Sequence, residues 1–127
     1  MTRPVKLLLL TGVLATLLVA QTRTRKQNTP LVRTPVKGEQ TVTGRVTDSM
    51  CSNANHKSMQ MGDTDAECTK ACVAAHGAQY VLFDGTNVYT FTDQKAPEEF
   101  AGMKVAVVGV VDAKAGTIKI SQIKSVK

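Results

Sequence analysis

Alternating apolar and polar residues predict a first strand over residues 41–48. Val42, Gly44 and Val46 occupy every second position of this segment, and the positions between them hold threonine or arginine. A period of two is typical of a strand that has one face against a core and the other in water. The segment is therefore expected to begin a small sheet.

Two hairpins are predicted further along the chain. Residues 80–84 and 88–92 are rich in aromatic and β-branched residues, and Gly, Thr and Asn between them suit a tight turn. Residues 104–112 and 117–123 form the second pair. Gly109 interrupts a run of valines there, which indicates a bulge or a sharp bend of the kind that closes a small barrel.

Two helices are predicted between these strands. Thr64-Asp65-Ala66-Glu67 matches the capping box, in which the Thr and Glu side chains satisfy free amides of the first turn. A helix is therefore expected over Asp65–His76, with Gly77 at the position where helices end. A shorter helix around Pro97–Phe100 begins with Pro at a tolerated first-turn position and ends at Gly102.

The order of these elements predicts the fold class. We expect a mainly β (α+β) domain over residues 40–127, built as a small five-stranded barrel of the OB type. One capped helix follows strand 1, and a short helix lies between strands 3 and 4. Another small α+β sandwich is the alternative.

An apolar leader precedes this domain. Arg3 and Lys6 stand before the apolar stretch of residues 7–20, the layout of a secretory signal peptide, so residues 1–20 are interpreted as one. The stretch is short of the roughly 20 apolar residues that a membrane helix needs. We expect the protein to be periplasmic or secreted. An uncleaved membrane anchor is the alternative, because basic residues follow the stretch at once.

The positive charge of the chain is confined to its start. The formal net charge is +6, but residues 1–37 hold seven basic and no acidic residues. Residues 38–127 hold nine basic against ten acidic residues, a net of −1. Residues 21–39 are predicted to be a flexible basic linker with, at most, weak contact with anionic surfaces. No nucleic-acid signature accompanies the charge, since no aromatic residues are interleaved with it.

Every Cys and His of the chain lies between positions 51 and 76, which makes this segment the candidate site. Cys68, Cys72 and His76 are spaced by four residues, so on a helix they form one stripe that drifts by about 40° per step. Three of the four methionines after Met1 lie between positions 50 and 61. The candidate metal ligands are Cys51, His56, Met59, Cys68, Cys72 and His76.

Four interpretations of this cluster stay open. In an exported protein, Cys51 is expected to form a disulfide with a helical Cys, which closes a loop of about 17 to 21 residues and leaves one thiol spare. A pair between Cys68 and Cys72 is disfavoured, because side chains on adjacent helical turns are not aimed at each other. Thiolates and a His also suit zinc, and sulfur-rich donors suit copper(I). The fourth interpretation is plain burial of Cys and Met.

The chain resembles a family of small exported bacterial proteins that have no established activity. The resemblance covers about residues 42–124. It implies export from a bacterial cell and an OB-like barrel, and it transfers no catalytic residue. Its motifs are Gly44–Cys51, Ala66–Val73, Gly77–Leu82 and Ala101–Gly109, together with His56 and Met59.

We expect a noncatalytic function. A thiol with an imidazole is the only nucleophile and base in reach, and the sequence shows no residue that would orient the imidazole. The alternative is an OB-type binding module for an extracellular oligosaccharide or nucleic acid, which would need exposed aromatic residues near Arg45 or Lys104. The aromatic residues available for this are Tyr80, Phe83, Tyr89, Phe91 and Phe100.

Overall fold

The computed structural model describes residues 36–127. The signal peptide expected at residues 1–20 and most of the linker expected at residues 21–39 lie outside the described residues. Within the described part of the chain, no helix is long and apolar enough to cross a membrane.

The described chain forms five strands, one α-helix and one short 3-10 helix. In chain order they are β1 (Glu39–Asp48), α1 (Asp65–His76), β2 (Tyr80–Phe83), β3 (Val88–Phe91), the 3-10 helix (Ala96–Phe100), β4 (Lys104–Asp112) and β5 (Thr117–Ser125). The bounds of α1 and β4 agree with the predicted ones at both ends. β1 begins two residues earlier than predicted, and β5 ends two residues later.

The five strands close into a barrel in the order β1-β2-β3-β5-β4. All neighbouring strands are antiparallel except β3 and β5, which pair in parallel at Thr90–Thr117 and Phe91–Ile118. This short parallel pairing joins the first hairpin to the second and removes the exposed sheet edges. The prediction of a small OB-like barrel with one helix is confirmed.

The barrel interior is filled by side chains that alternate along the strands. Val46 of β1, Leu82 of β2 and Phe91 of β3 are almost completely buried, and they meet Val107 of β4 and Ile118 of β5. Burial of each such side chain contributes about 1.5–3 kcal/mol. The period of two in the sequence therefore corresponds to the inward face of the barrel.

The predicted irregularity at Gly109 is present. The register between β4 and β5 shifts between Val108 and Gly109. A β-carbon at Gly109 would collide with the backbone carbonyl of Lys119 on the neighbouring strand. Glycine is thus required because the two backbones approach closely at the bulge.

Helix α1 is fixed against the barrel at its first turn. The capping box is formed: Thr64 Oγ1 accepts from the Glu67 N–H at 3.2 Å, and Glu67 accepts from the Thr64 N–H. A β-carbon at Gly102, in the turn before β4, would lie 2.6 Å from the backbone nitrogen of Ala66, so the turn and the helix touch. The face of α1 toward the barrel consists of Cys68, Thr69 and Cys72.

Candidate metal centre

The site begins with a tight backbone turn at the end of β1. The Asp48 carboxylate Oδ1 accepts hydrogen bonds from the backbone N–H groups of Met50 (3.0 Å) and Cys51 (2.9 Å). The Thr47 hydroxyl donates to the carbonyl of Cys51 at 2.8 Å, and the Ala54 N–H donates to the same carbonyl. These four bonds hold Cys51 beside the strand end that precedes it.

Three buried side chains converge at this turn. Ligand atoms of Asp48, Cys51 and His56 all lie within 4.8 Å of one another, and each residue is less than a tenth exposed. The distance between His56 Nδ1 and Asp48 Oδ2 is 3.9 Å. Neither of these two atoms has a hydrogen-bond partner among the described residues. A carboxylate, a thiol and an imidazole therefore share one small buried space.

The hydrogen bond with Thr47 determines which nitrogen of His56 presents a lone pair to this space. His56 Nε2 lies 3.2 Å from the Thr47 hydroxyl, whose single proton is already donated to the Cys51 carbonyl. The hydroxyl oxygen must accept, so Nε2 carries the proton and donates it. In the neutral ring, Nδ1 is then an unprotonated acceptor that faces the carboxylate of Asp48.

Two acceptors that face each other in a buried site are stabilised by a hydrogen-bond donor or a cation between them. An unpaired buried polar group costs free energy, and a buried charge costs more. A proton on Nδ1 would supply one such cation, and a metal ion would supply another that also engages the Cys51 sulfur. The donor set of carboxylate, thiolate and imidazole is one that divalent transition metals take.

Two further thiols lie next to this donor set on helix α1. Cys68 and Cys72 are completely or almost completely buried, and Cys68 is close enough to the thiols of Cys51 and Cys72 to raise the pKa of each. All three cysteines are free. Cys51 therefore lies near Cys68 of the helix.

Burial and the nearby carboxylate raise the pKa of the Cys51 and Cys72 thiols. Desolvation, with smaller contributions from Asp48 and Cys68, raises the pKa of Cys72 to about 11. Desolvation likewise raises the pKa of Cys51, with additional effects from Asp48 and Cys68. A metal ion must therefore displace the thiol proton when it binds, so metal affinity falls as the pH falls.

The raised thiol pKa values predict that the domain without metal loses stability at alkaline pH. The unfolded thiols ionise near their ordinary pKa of 9.0, whereas Cys72 in the folded domain holds its proton up to about pH 11. Between these values the unfolded state binds fewer protons, so the free energy of unfolding decreases as the pH rises. Urea denaturation of reduced protein at pH 8, 9, 10 and 11 checks this. Cys72→Ala should show a shallower decline, and an equal decline in both proteins would contradict this explanation.

The six ligands predicted from the sequence differ in how deeply they are buried. Cys51 and His56 are in the converging donor set, and Cys68 and Cys72 lie beside it. Met59 is 36% exposed, and His76 is exposed in the last turn of α1. Sequence reasoning did not select Asp48. The available signal was an acidic residue at a strand end three positions before a Cys, where its carboxylate can accept from free backbone amides.

A cavity of about 570 Å³ lies beside the loop between β1 and α1. His56 forms part of its wall, so one residue belongs both to the buried donor set and to a space that opens to the surface. The other lining residues are mostly polar and include Asn55, Lys57, Gln60 and Asp63. Neither Asp48 nor Cys51 lines the cavity, so His56 is the member of the donor set that borders it.

The aromatic residues are placed differently from those of a stacking platform. Tyr80 and Phe91 are buried in the barrel, and Phe83, Tyr89 and Phe100 are half-buried. None of the five is exposed beside Arg45 or Lys104, the arrangement that the polymer-binding alternative requires. That alternative stays a prediction without a structural feature in its favour.

The comparisons with known proteins do not indicate a function for this chain. No protein-family model, curated protein or solved structure matches the chain. The buried group of Asp48, Cys51 and His56, with the two helical thiols beside it, is the arrangement from which a function has to be inferred.

Proposed function

We propose that the barrel domain is an exported, noncatalytic metal-binding module that holds one zinc ion through Asp48 Oδ2, Cys51 Sγ and His56 Nδ1. The observation that carries this proposal is the pair of buried acceptors, Asp48 Oδ2 and His56 Nδ1, which face each other at 3.9 Å without a hydrogen-bond partner. A divalent cation bound to both, and to the adjacent sulfur, removes the cost of burying them.

The donor chemistry favours zinc over copper(I). Zinc accepts carboxylate oxygen, imidazole nitrogen and thiolate sulfur together, whereas copper(I) is selected by purely soft sulfur donors. The carboxylate of Asp48 is completely buried within the set, so the site contains a hard donor. The carboxylate and one thiolate also balance the two positive charges of zinc, which leaves the buried site neutral.

Export and the absence of catalysis rest on further arguments. The basic and apolar leader of residues 1–20 and the resemblance to small exported bacterial proteins support export. The carboxylate and the imidazole are both directed at the proposed metal position, so neither serves as a general base. The basic linker of residues 21–39 would tether the domain and touch anionic surfaces weakly.

Native mass spectrometry of the reduced protein tests zinc binding. We expect one zinc ion per chain and a preference for zinc when copper(I) is offered in equal amount. Cys51→Ser should lose the ion, whereas Cys72→Ala should keep it, because Cys72 lies outside the converging donor set. Protein that gains no metal mass in excess zinc, or that binds copper(I) in preference, would refute the proposed site.

A disulfide between Cys51 and Cys68 is a second state of the same cluster. The observation that favours it is that both cysteines are buried and free, with Cys68 close enough to Cys51 to raise the pKa of its thiol. Oxidation by glutathione disulfide would join the two sulfurs, transfer their protons and electrons to glutathione, and remove a zinc ligand. The bond closes a loop of about 17 residues and stabilises the fold by roughly 3 kcal/mol.

We expect oxidised protein to be lighter by two hydrogen atoms, to keep a free Cys72 thiol and to bind no zinc. Peptide mapping after alkylation identifies the bridged pair, and the zinc content of the same sample shows whether the states exclude each other. A bridge that contains Cys72, or zinc retained by the oxidised protein, would contradict this assignment.

A further inference from the structure

The proposed metal position is closed off from solvent. Asp48 Oδ2 and His56 Nδ1 have almost no accessible surface, and Cys51 is only 4% exposed. Neither Asp48 nor Cys51 lines the neighbouring cavity. An ion can therefore reach the three donors only when one of the segments that carry them moves away from the other two.

Two of the three donors are fixed to the barrel. Asp48 ends β1 and pairs with Tyr80 of β2. Cys51 is held by the bond from its N–H to the Asp48 carboxylate and by the bond from the Thr47 hydroxyl to its carbonyl. Neither donor can move without breaking contacts at the strand end, so the segment that can move is the loop that carries His56.

The loop of residues 52–61 is attached to the rest of the domain through His56. His56 is the only buried residue of this loop, and residues 57–61 are all exposed. The His56 ring bonds to the Thr47 hydroxyl, whereas every other hydrogen bond described for the loop stays within residues 51–60. A segment with so few buried contacts opens at a small cost in free energy.

The backbone of this loop is strained on both sides of His56. Ala54 has a φ of 56° and Gln60 a φ of 42°, and neither residue is glycine. Left-handed backbone is unfavourable for residues that carry a β-carbon, and such strain persists only where other contacts enforce it. The strain is released when the loop opens, so the closed form depends on the attachment at His56.

We infer that residues 52–61 form a lid that opens to admit the metal ion, and that coordination of the ion by His56 holds the lid shut. The inference rests on the proposed zinc site. With the lid open, the ion meets Asp48 and Cys51 on the barrel, and closure adds the imidazole as the third donor. Without metal, the one hydrogen bond described for the His56 ring is that with Thr47, so the lid opens more often.

Modification of His56 tests the lid in full-length reduced protein. Diethyl pyrocarbonate attacks an unprotonated imidazole nitrogen, and Nδ1 is covered when the lid is closed. Without metal, we expect slow modification of His56 at a rate that low urea barely changes, because a local opening exposes little surface. Excess zinc should slow this reaction at least about tenfold, because it binds the closed form more tightly. His76 is exposed at the end of α1, so it is the internal control and should react equally with and without zinc.

A matched pair of glycine variants tests the strain. Gln60→Gly removes left-handed strain from the closed lid, so the lid should open less often and take up cobalt(II), a spectroscopic substitute for zinc, about threefold more slowly. Ser58→Gly is the control in the same lid. Ser58 has no positive φ, so glycine there relieves no strain and should not slow the uptake. Stopped-flow absorbance of the cobalt–thiolate bond measures both rates.

The outcomes distinguish the lid from the metal site. Modification of His56 that follows the urea dependence of whole-domain unfolding would overturn the lid, even in protein that binds zinc. Equal rates of cobalt uptake in Gln60→Gly and Ser58→Gly would overturn the strained closed form. Protein that binds neither zinc nor cobalt would overturn the metal site and its hold on the lid, whereas the urea-independent modification of His56 would still support local opening.

Discussion

Asp48→Asn is expected to weaken zinc binding at least about a hundredfold and to leave the metal-free domain as stable as the native one, or more stable. Substitution of residues that merely orient metal ligands costs 10–100-fold in affinity, and loss of a charged ligand should cost no less. The Asn side chain keeps an oxygen that accepts from the N–H groups of Met50 and Cys51, so the turn that positions Cys51 is preserved.

The effect of this substitution on stability has the opposite sign because the native carboxylate is buried with one oxygen unpaired. Oδ2 has no hydrogen-bond partner and faces the lone pair of His56 Nδ1. An amide nitrogen in its place would donate to that lone pair. Relief of an unpaired buried acceptor is worth about 1–3 kcal/mol.

Zinc competition with a chromophoric chelator and urea denaturation of the metal-free protein measure the two effects. Asp63→Asn is the matched control, because Asp63 is an exposed carboxylate that lines the cavity and lies outside the donor set. It should change neither quantity appreciably. Unchanged zinc affinity in Asp48→Asn would remove Asp48 from the ligands. A large loss of stability without metal would show that the carboxylate is structural.

The regular elements could be predicted from the sequence because each depends on local signals. The capping box at Thr64 and the glycine at position 77 determine where α1 begins and ends, and both are formed as the sequence indicates. The alternation along β1 reflects the two faces of a barrel wall. The parallel contact between β3 and β5 depends on barrel closure, so no local signal in either strand indicates it.

The site could be predicted only in part because its composition depends on distances between segments. Cys51 and His56 were recognised by residue type. Asp48 was missed because nothing in the sequence shows that its carboxylate is enclosed, with one oxygen used by the backbone and the other directed at His56.

The four-residue spacing of Cys68, Cys72 and His76 predicted that the three side chains share one face of the helix. The stripe drifts by about 40° at each step, so His76 is turned about 80° from Cys68 and lies in the exposed last turn of α1. Regular spacing on a helix therefore predicted the direction of the three side chains better than it predicted how deeply each is buried.

Gly109→Ala is expected to destabilise the domain by about 3 kcal/mol, more than any other addition of a single methyl group in the second hairpin. The β-carbon would enter the backbone carbonyl of Lys119, and a backbone group cannot move aside as the end of a flexible side chain can. The strands would have to separate at the register shift between Val108 and Gly109, where β4 bends. Overpacking of this kind costs typically 1–3 kcal/mol, and the upper end applies because β4 pairs with both β1 and β5.

Gly116→Ala is the matched control within the same hairpin. Gly116 has φ +65° and open space around the position of a β-carbon, so alanine there meets only the strain of left-handed backbone, about 1–2 kcal/mol. Urea denaturation of both variants, with equal m-values as the condition for comparison, gives the loss in free energy of unfolding for each. An equal loss of stability in the two variants would mean that the close approach of β4 and β5 at the bulge is not what requires glycine. The barrel would then tolerate a wider bend there.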